Sequence, residues 1–253
     1  MNLGLEKRRA LVTGASRGLG RAIALALADE GADVIAVARN LDRLNQLAAS
    51  SGSITARACD LSDPLAIQGL AEALASVDVL VLNTAGPPPS TAAETSDDAW
   101  SAQFEAMFLS AVRLTRLALP GMRKRGFGRI IAVVSSGVIQ PIPNLGISNA
   151  IRLALVGWAK TLASEVAGQG ITVNCVAPGR IATDRVAELD QGRARREGIG
   201  LDEVERQARA AIPAGRYGEA AEFASMATFL ASTQASYITG SIVRVDGGMI
   251  RSV

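Results

Sequence analysis

The strongest constraint on the fold is the regular alternation of short, β-branched apolar runs with longer segments of helical periodicity. The apolar runs are mostly continuous, as in strands that are covered by helices on both faces. Candidate strands cover residues 10–13, 34–38, 54–58, 77–83, 130–135, 171–176 and 242–245. Candidate helices cover residues 18–30, 41–50, 64–74, 97–124, 146–167 and 219–231. This order predicts an α/β fold with a doubly wound, parallel sheet of seven strands.

Composition agrees with one domain over residues 1–253, because 49% of the residues are hydrophobic and 20% are charged. A net charge of +2 predicts no strong attraction to nucleic acid or acidic membranes. The start of the chain has no signal-peptide pattern, no apolar stretch is long enough to span a bilayer, and the two cysteines lack metal-ligand spacing. We therefore expect a cytoplasmic protein without membrane, nucleic-acid or metal partners. The chain has no histidine, so any catalytic proton must pass through another group or through water.

A glycine-rich turn lies between the first candidate strand and the first candidate helix. Glycine is needed where the chain turns tightly and where backbone approaches phosphate, and the amides of a helix amino terminus favour anions. This placement predicts a Rossmann-type dinucleotide site; a glycine-rich turn that binds nothing is the alternative. The residues expected to form the site are Gly14, Ser16, Arg17, Gly18, Leu19 and Gly20.

The end of the second candidate strand predicts which dinucleotide binds. An NAD site usually places an acid about 20 residues beyond the glycines, for the ribose hydroxyls. Here Arg39 stands in that neighbourhood and no acid does. Arg39, helped by Arg17, can pair with a 2′-phosphate, and a surface arginine without a ligand is the alternative. We expect NADP(H) to be preferred, with NADPH bound at least about tenfold more tightly than NADH.

The charged, glycine-containing segment 179–214 is the least regular part of the chain and follows a strand end. Ligands bind outside the carboxyl ends of strands in this architecture, so a lid over the site is one interpretation. A surface helical excursion without a gating role is the other.

Several motifs in the same order resemble those of the short-chain dehydrogenase/reductase family, over nearly the whole chain. The glycine spacing is that family's variant, residues 83–86 resemble its Asn-Asn-Ala-Gly turn, and residues 246–248 resemble its closing turn. Residues 141–152 resemble a divergent branch that is similar to 3-oxoacyl-acyl-carrier-protein reductases. The resemblance implies a homotetramer in which helices 97–124 and 146–167 pack against a symmetry mate. The apolar residues compatible with that interface, or equally with the core, are Met107, Leu114, Leu117, Leu155 and Trp158. It also implies cofactor contacts at Asp60, Leu61, Asn83, Ala85, Gly86, Pro178, Gly179, Ile181 and Thr183.

The catalytic pattern of the family is incomplete in this chain. Members use Ser, Tyr and a Lys four residues after the Tyr, usually with an Asn. The alignment places Ser136 at the serine position, Ser148 at the tyrosine, Arg152 at the lysine and Met107 at the asparagine. Ser136 and Ser148 are 12 residues apart, one fewer than the family spacing implies. Only one of the four catalytic residue types is therefore present.

Two functions follow. The first is an NADP(H)-dependent oxidoreductase for a ketone or secondary alcohol, in which Ser136 holds the substrate oxygen, Ser148 and a water handle the proton, and Arg152 anchors the cofactor. The second is a non-catalytic NADP(H)-binding sensor or partner subunit. Structural roles remain open as well: Ser148 as a helix cap, Arg152 as an ion-pair partner and Ser136 as an ordinary serine at a strand end.

Overall fold

A computed structural model describes residues 2–252. Seven parallel strands form one sheet in the order β3-β2-β1-β4-β5-β6-β7, which confirms the predicted fold class. The order reverses between β1 and β4, so the chain leaves a crevice at their carboxyl ends, where doubly wound sheets bind ligands. The strands are β1 (Arg9–Thr13), β2 (Asp33–Ala38), β3 (Ile54–Ala58), β4 (Val79–Leu82), β5 (Gly128–Val133), β6 (Ile171–Pro178) and β7 (Ile242–Val245).

Helices cover both faces of the sheet. They are α1 (Gly18–Asp29), α2 (Leu41–Ala49), α3 (Pro64–Gln68), α4 (Ala71–Ala75), α5 (Asp97–Phe104), α6 (Ser110–Arg125), α7 (Gly146–Val166), α8 (Asp184–Glu197), α9 (Leu201–Ala210) and α10 (Ala220–Ala231). No helix within residues 2–252 combines the length and apolarity that crossing a membrane requires.

Strand β4 shows how the two faces are filled. Val79 and Val81 belong to the apolar cluster that packs with α1 and α10, whereas Leu80 and Leu82 belong to the cluster that packs with α6 and α7. Successive side chains of a strand point to opposite faces, so a continuous apolar run is what a strand between two helical layers requires.

Two predicted helices are interrupted. The helix expected over 64–74 is two short helices, α3 and α4, separated at Gly69, a residue of low helix propensity. The helix expected over 97–124 contains a π-helical turn at Glu105–Leu109, between α5 and α6. Apolar periodicity does not reveal a π turn, because the extra residue leaves most of the pattern intact.

The segment after β6 is more regular than the sequence suggested, because it contains the helices α8 and α9. The Thr183 hydroxyl accepts the amide of Val186 at 3.5 Å to cap the start of α8, and Gly198 ends it with a φ of +67°. Both are ordinary helix-end signals. The lid interpretation therefore concerns a helical pair and not an irregular loop.

Three residues considered for a subunit interface lie inside this chain's own core. Met107, Leu114 and Leu155 are each at most 3% exposed, so they are not available at a surface. Leu117 and Trp158 are only partly buried.

Candidate active site

The turn after β1 is held against the end of β4. The Thr13 hydroxyl accepts the amide of Asn83 at 2.8 Å, and the Asn83 side-chain amide reaches the Gly14 carbonyl at 3.5 Å. Gly14 has a φ of +60°, and a Cβ there would lie 2.6 Å from the Asn83 carbonyl oxygen. A Cβ on Gly20 would lie 2.3 Å from the Gly14 carbonyl oxygen. Both positions therefore require glycine on steric grounds alone.

Gly18, the first residue of α1, is less crowded than Gly14 and Gly20. Its φ is +56°, and the nearest atom to a Cβ placed there would be a methyl of Thr183 at 3.7 Å. Arg17, at the N-cap, makes no side-chain cap bond, so the first amides of α1 are free for another acceptor. An uncapped helix amino terminus at a residue without a side chain fits a dinucleotide diphosphate.

A cavity of about 340 Å³ lies beside this turn. It brings Arg17 together with Arg21 of α1 and Arg43 of α2, two cations that sequence reasoning did not assign to the site. The sequence signal for these two arginines was their position, with Arg21 directly after the glycine turn and Arg43 shortly after Arg39. The residues that line the cavity are Ser16, Arg17, Gly18, Arg21, Arg43, Gln46 and Asp184.

Arg17 is engaged by α8. Its Nη1 lies 3.1 Å from Glu188 Oε1 and 3.6 Å from Asp184 Oδ2, so two carboxylates face the cation expected to contact a phosphate. Arg39 follows β2 and is exposed. It lies close enough to Asp60 to contribute to that residue's charge environment.

Asp60 and Leu61 follow β3 at the same edge of the sheet. Asp60 Oδ1 accepts both the amide of Ser62 at 2.9 Å and its hydroxyl at 2.8 Å. These two bonds, with a smaller contribution from Arg39, lower the pKa of the Asp60 carboxyl. Leu61 packs partly buried against the core. The second carboxylate oxygen of Asp60 is left for another donor.

The turn after β4 is crossed by Arg185 of α8. Arg185 packs against Gly86, where a Cβ would come within 3.4 Å of its guanidinium, and its Nη2 donates to the Pro87 carbonyl at 2.6 Å. Ala85 is exposed. Sequence reasoning did not single out Arg185.

Two adjacent serines follow β5. Ser136 is 2% exposed, whereas Ser135 is partly exposed and its Oγ accepts the amide of Gly137 at 3.1 Å. Ser135 also stands 13 residues before Ser148, which restores the family spacing. The missing residue in the Ser136 alignment makes Ser135 a second candidate for the serine position.

Ser148 and Arg152 lie one turn apart on α7, and both are buried. Ser148 is not the cap, because α7 begins at Gly146 with Leu145 in the N-cap position. Arg152 is not an ion-pair partner within residues 2–252: its Nη1 donates to the Val133 carbonyl at 2.7 Å and its Nη2 to the Thr84 carbonyl at 3.3 Å. It thus joins the ends of β4 and β5.

Apolar side chains occupy the surroundings in which the family places its asparagine. Met107, in the π turn, packs with Ile147 and Ile151 of α7. Neither tyrosine replaces the absent phenol: Tyr237 is fully exposed, and the Tyr217 hydroxyl donates to Asp190 Oδ2 at 2.8 Å. Burial, followed by this bond, raises the pKa of Tyr217.

The segment after β6 completes the edge. A Cβ on Gly179, which follows Pro178, would lie 2.7 Å from the Cα of Asp246, so the closing turn packs directly on it. Ile181 is buried and pairs with Gly218, whose carbonyl accepts the amide of Ala182 at 2.8 Å. Thr183 begins α8 opposite Gly18. The predicted site residues therefore follow β1 to β6 at a single edge of the sheet, together with Ser148 and Arg152 of α7.

The chain is similar to known reductases over nearly its whole length. The model of a family described as enoyl-(acyl carrier protein) reductase matches residues 14–250. A 3-oxoacyl-[acyl-carrier-protein] reductase from Salmonella typhimurium is 39% identical over 98% of this chain and 99% of its own length. The NADPH-dependent reductase BacG of Bacillus subtilis is 34% identical over 98% of this chain and 100% of its own length.

A solved structure gives the same result for the fold. The L-sorbose reductase of Gluconobacter frateurii, complexed with NADPH and L-sorbose, superposes with a TM-score of 0.93 at 34% identity and covers 100% of both chains. Together with the family model and the near full-length relatives, this shows that the chain belongs to the short-chain dehydrogenase/reductase family and is similar to its 3-oxoacyl-acyl-carrier-protein reductases.

Proposed function

We propose that this chain is an NADPH-dependent reductase of ketones, acting in reverse on secondary alcohols. The observation that carries the proposal is that one edge of the sheet holds both the cavity beside Gly18 and the strand and helix ends that carry Ser135, Ser148 and Arg152. The reductases named above support it, since BacG is NADPH-dependent and the L-sorbose reductase forms a complex with NADPH.

The cofactor side of the site uses backbone amides and cations. The amides after Gly14 and at the start of α1 hold the diphosphate, and Arg39 with Arg17 holds the 2′-phosphate. Asp60 and Leu61 contact the adenine, the 83–86 turn approaches its ribose, and Arg152 anchors the nicotinamide ribose. The segment from Pro178 to Thr183 holds the carboxamide, as the family resemblance implies.

The catalytic side uses one hydroxyl to orient the substrate and one to move a proton. The chemistry that NADPH supplies when bound is a hydride for the carbonyl carbon. The serine after β5 donates a hydrogen bond to the substrate oxygen. Ser148 passes a proton from a solvent molecule to that oxygen, while the nearby charge of Arg152 stabilises the developing alkoxide.

The two serines after β5 are alternative candidates for the hydroxyl that orients the substrate, and substitution can distinguish them. Partial exposure and the 13-residue spacing favour Ser135 as the residue that touches substrate, and the burial of Ser136 favours a supporting place. We expect Ser135→Ala to lower kcat/KM at least about tenfold, as loss of one aimed donor does, and Ser136→Ala to have the smaller effect. The reverse order would return the role to Ser136, as first predicted.

The function itself is tested by following oxidation of NADPH with a panel of 3-oxoacyl thioesters, sugars and aromatic ketones. Turnover above background with any member, weakened in Ser135→Ala, is the expected result. Tight NADPH binding with a silent panel would instead support the non-catalytic sensor or partner subunit.

We also propose that residues 179–214 form a lid. Arg17 pairs with Asp184 and Glu188, and Arg185 bonds to the Pro87 carbonyl, so α8 bridges the turns after β1 and β4. Release of these contacts would open the crevice. Protection of α8 from hydrogen exchange should increase when NADPH binds.

Assembly as a homotetramer and a cytoplasmic location stay predictions. A groove of about 280 Å³ between α6 and α7, lined by residues that include Leu119, Pro120 and Trp158, supports packing of a second copy there. Light scattering that gives a monomer at micromolar concentration would contradict the tetramer.

A further inference from the structure

Two arginines border the crevice between the ends of β4 and β5. Arg152 is 7% exposed, and its guanidinium donates to the carbonyls of Val133 and Thr84. Arg185 reaches the same turn from α8 and donates to the Pro87 carbonyl at 2.6 Å. Carbonyl oxygens satisfy donors but do not neutralise a charge.

The two guanidinium groups differ in how they are neutralised within residues 2–252. Arg152 is buried and has no carboxylate within 4.0 Å. Arg185 is about one-third exposed and pairs with Glu188 at 3.8 Å, a carboxylate that lies closer to Arg17, at 3.1 Å. A buried charge without a partner is unfavourable, so an anion beside Arg152 would stabilise the folded site.

The electrostatics of the pair agree with this. Burial, followed by the neighbouring charge of Arg185, lowers the pKa of Arg152 to about 10. Burial also lowers the pKa of Arg185. Both guanidinium groups donate to carbonyls of the turn over residues 84–87, so an anion between them would relieve the repulsion that Arg185 exerts on Arg152.

The position of the pair separates it from the cations expected to serve the cofactor phosphates. Arg17, Arg21 and Arg43 surround the cavity beside the glycine turn after β1. Arg152 instead bonds to Val133, two residues before Ser135, and Arg185 packs on Gly86. The pair therefore borders the place proposed for the nicotinamide ribose, which Arg152 anchors, and for the neighbouring substrate oxygen.

We infer that the ketone substrate carries an anionic oxygen group, and that Arg185 binds this group beside the charge of Arg152. The inference rests on the proposed reductase function and names its substrate class. A guanidinium fork suits the two oxygens of a carboxylate and equally those of a phosphate. Because Arg185 lies on α8, binding of the anion would also fix the proposed lid.

The test is calorimetric binding to the protein saturated with NADP⁺, with matched charged and neutral ketones. Levulinate against its methyl ester tests a carboxylate, and dihydroxyacetone phosphate against dihydroxyacetone tests a phosphate. We expect at least one anion to bind about tenfold more tightly than its neutral partner, and Arg185→Gln to abolish that difference. Arg185→Lys should restore part of it. Arg195→Gln, an exposed position on the same helix, is the control and should change nothing.

Three results would overturn the inference: equal binding of charged and neutral partners, no measurable binding of either anion, or an equal loss of NADPH affinity in Arg185→Gln. The last would assign Arg185 to the cofactor. These outcomes are separate from failure of the proposed function, which is a silent reductase panel whatever the anion binding. If the ketone panel is reduced but neutral substrates are preferred, the anionic substrate class is refuted and the reductase function stands.

Discussion

The turn after β1 and the start of α7 lie at the same edge of the sheet, yet they are built from different parts of the chain. At the turn, the atoms proposed to bind the cofactor are backbone amides, and the close packing of Gly14 and Gly20 requires that they have no side chain. At α7, the atoms proposed to act belong to the side chains of Ser148 and Arg152. A site built from closely packed backbone tolerates almost no substitution. A site built from side chains can change its chemistry by substitution while the helix that carries it stays the same. This explains why the family pattern survives in one region and not in the other.

The largest expected effect comes from Gly14→Ala, which places a side chain where the backbone site forbids one. A left-handed φ and a contact of 2.6 Å with the Asn83 carbonyl should destabilise the fold by about 2–4 kcal/mol. Urea denaturation measures this loss, and calorimetry should show NADPH binding at least about tenfold weaker.

Its matched control is Gly157→Ala within α7, where an added Cβ meets nothing within 4 Å. This change should stabilise the protein by about 0.5–1 kcal/mol, because alanine favours a helix. Equal stability changes in the two variants would show that the turn is not under the steric constraint described here.

The second prediction tests Arg39, the side chain proposed to bind the 2′-phosphate next to the backbone amides of the glycine turn. Arg39→Ser should weaken NADPH binding about 10- to 100-fold, the usual effect of losing a charge-assisted bond, and leave NADH binding unchanged. Titration of both cofactors measures it, with Arg116→Ser on α6 as the exposed control. A parallel loss for NADH would refute a role at the 2′-phosphate.

The third prediction tests whether α7 still presents an intact pocket. Ser148→Tyr with Arg152→Lys restores the phenol and amine at i and i+4 on one helix face. Because a positioned general acid accelerates such steps strongly, we expect kcat for a ketone of the panel to rise about tenfold or more. Circular dichroism must show an unchanged fold, since Ser148 is buried and a ring needs added space. A correctly folded double variant without a gain would show that Met107 and its apolar neighbours have also altered the pocket.

Both regions also differ in what the sequence could predict. The fold and the glycine turn followed from local signals: continuous apolar strands such as β4, and glycines between a strand and a helix. The comparisons confirm the family that these motifs indicated. Side-chain placement required three dimensions. Ser135 and Ser136 are neighbours in sequence; the spacing to Ser148 hinted at the difference between them, and their burial in the structure made it visible.

Long-range pairs were harder still. Arg185 and Gly86 are almost a hundred positions apart. No periodic pattern in the sequence predicts that a residue of α8 packs on the turn after β4. The π turn at Glu105–Leu109 was hidden for a different reason, because it shifts hydrogen bonds without disturbing the apolar pattern. Sequence reasoning therefore located the edge of the sheet where the proposed site lies, but it did not find all of the arginines that border this site.

The smallest expected effect concerns the contact between the glycine turn and the lid. Glu188→Gln removes a carboxylate 3.1 Å from Arg17, so that cation becomes free for a phosphate, and NADPH binding should tighten about two- to fivefold. The gain is small because both side chains are about half exposed, and it should shrink further at high salt. Glu197→Gln, which breaks a pair with Arg193 on the same helix, should leave NADPH affinity unchanged. If Glu188→Gln instead weakened binding, the carboxylate would be supporting Arg17 in its cofactor-binding position and not competing with the phosphate for it.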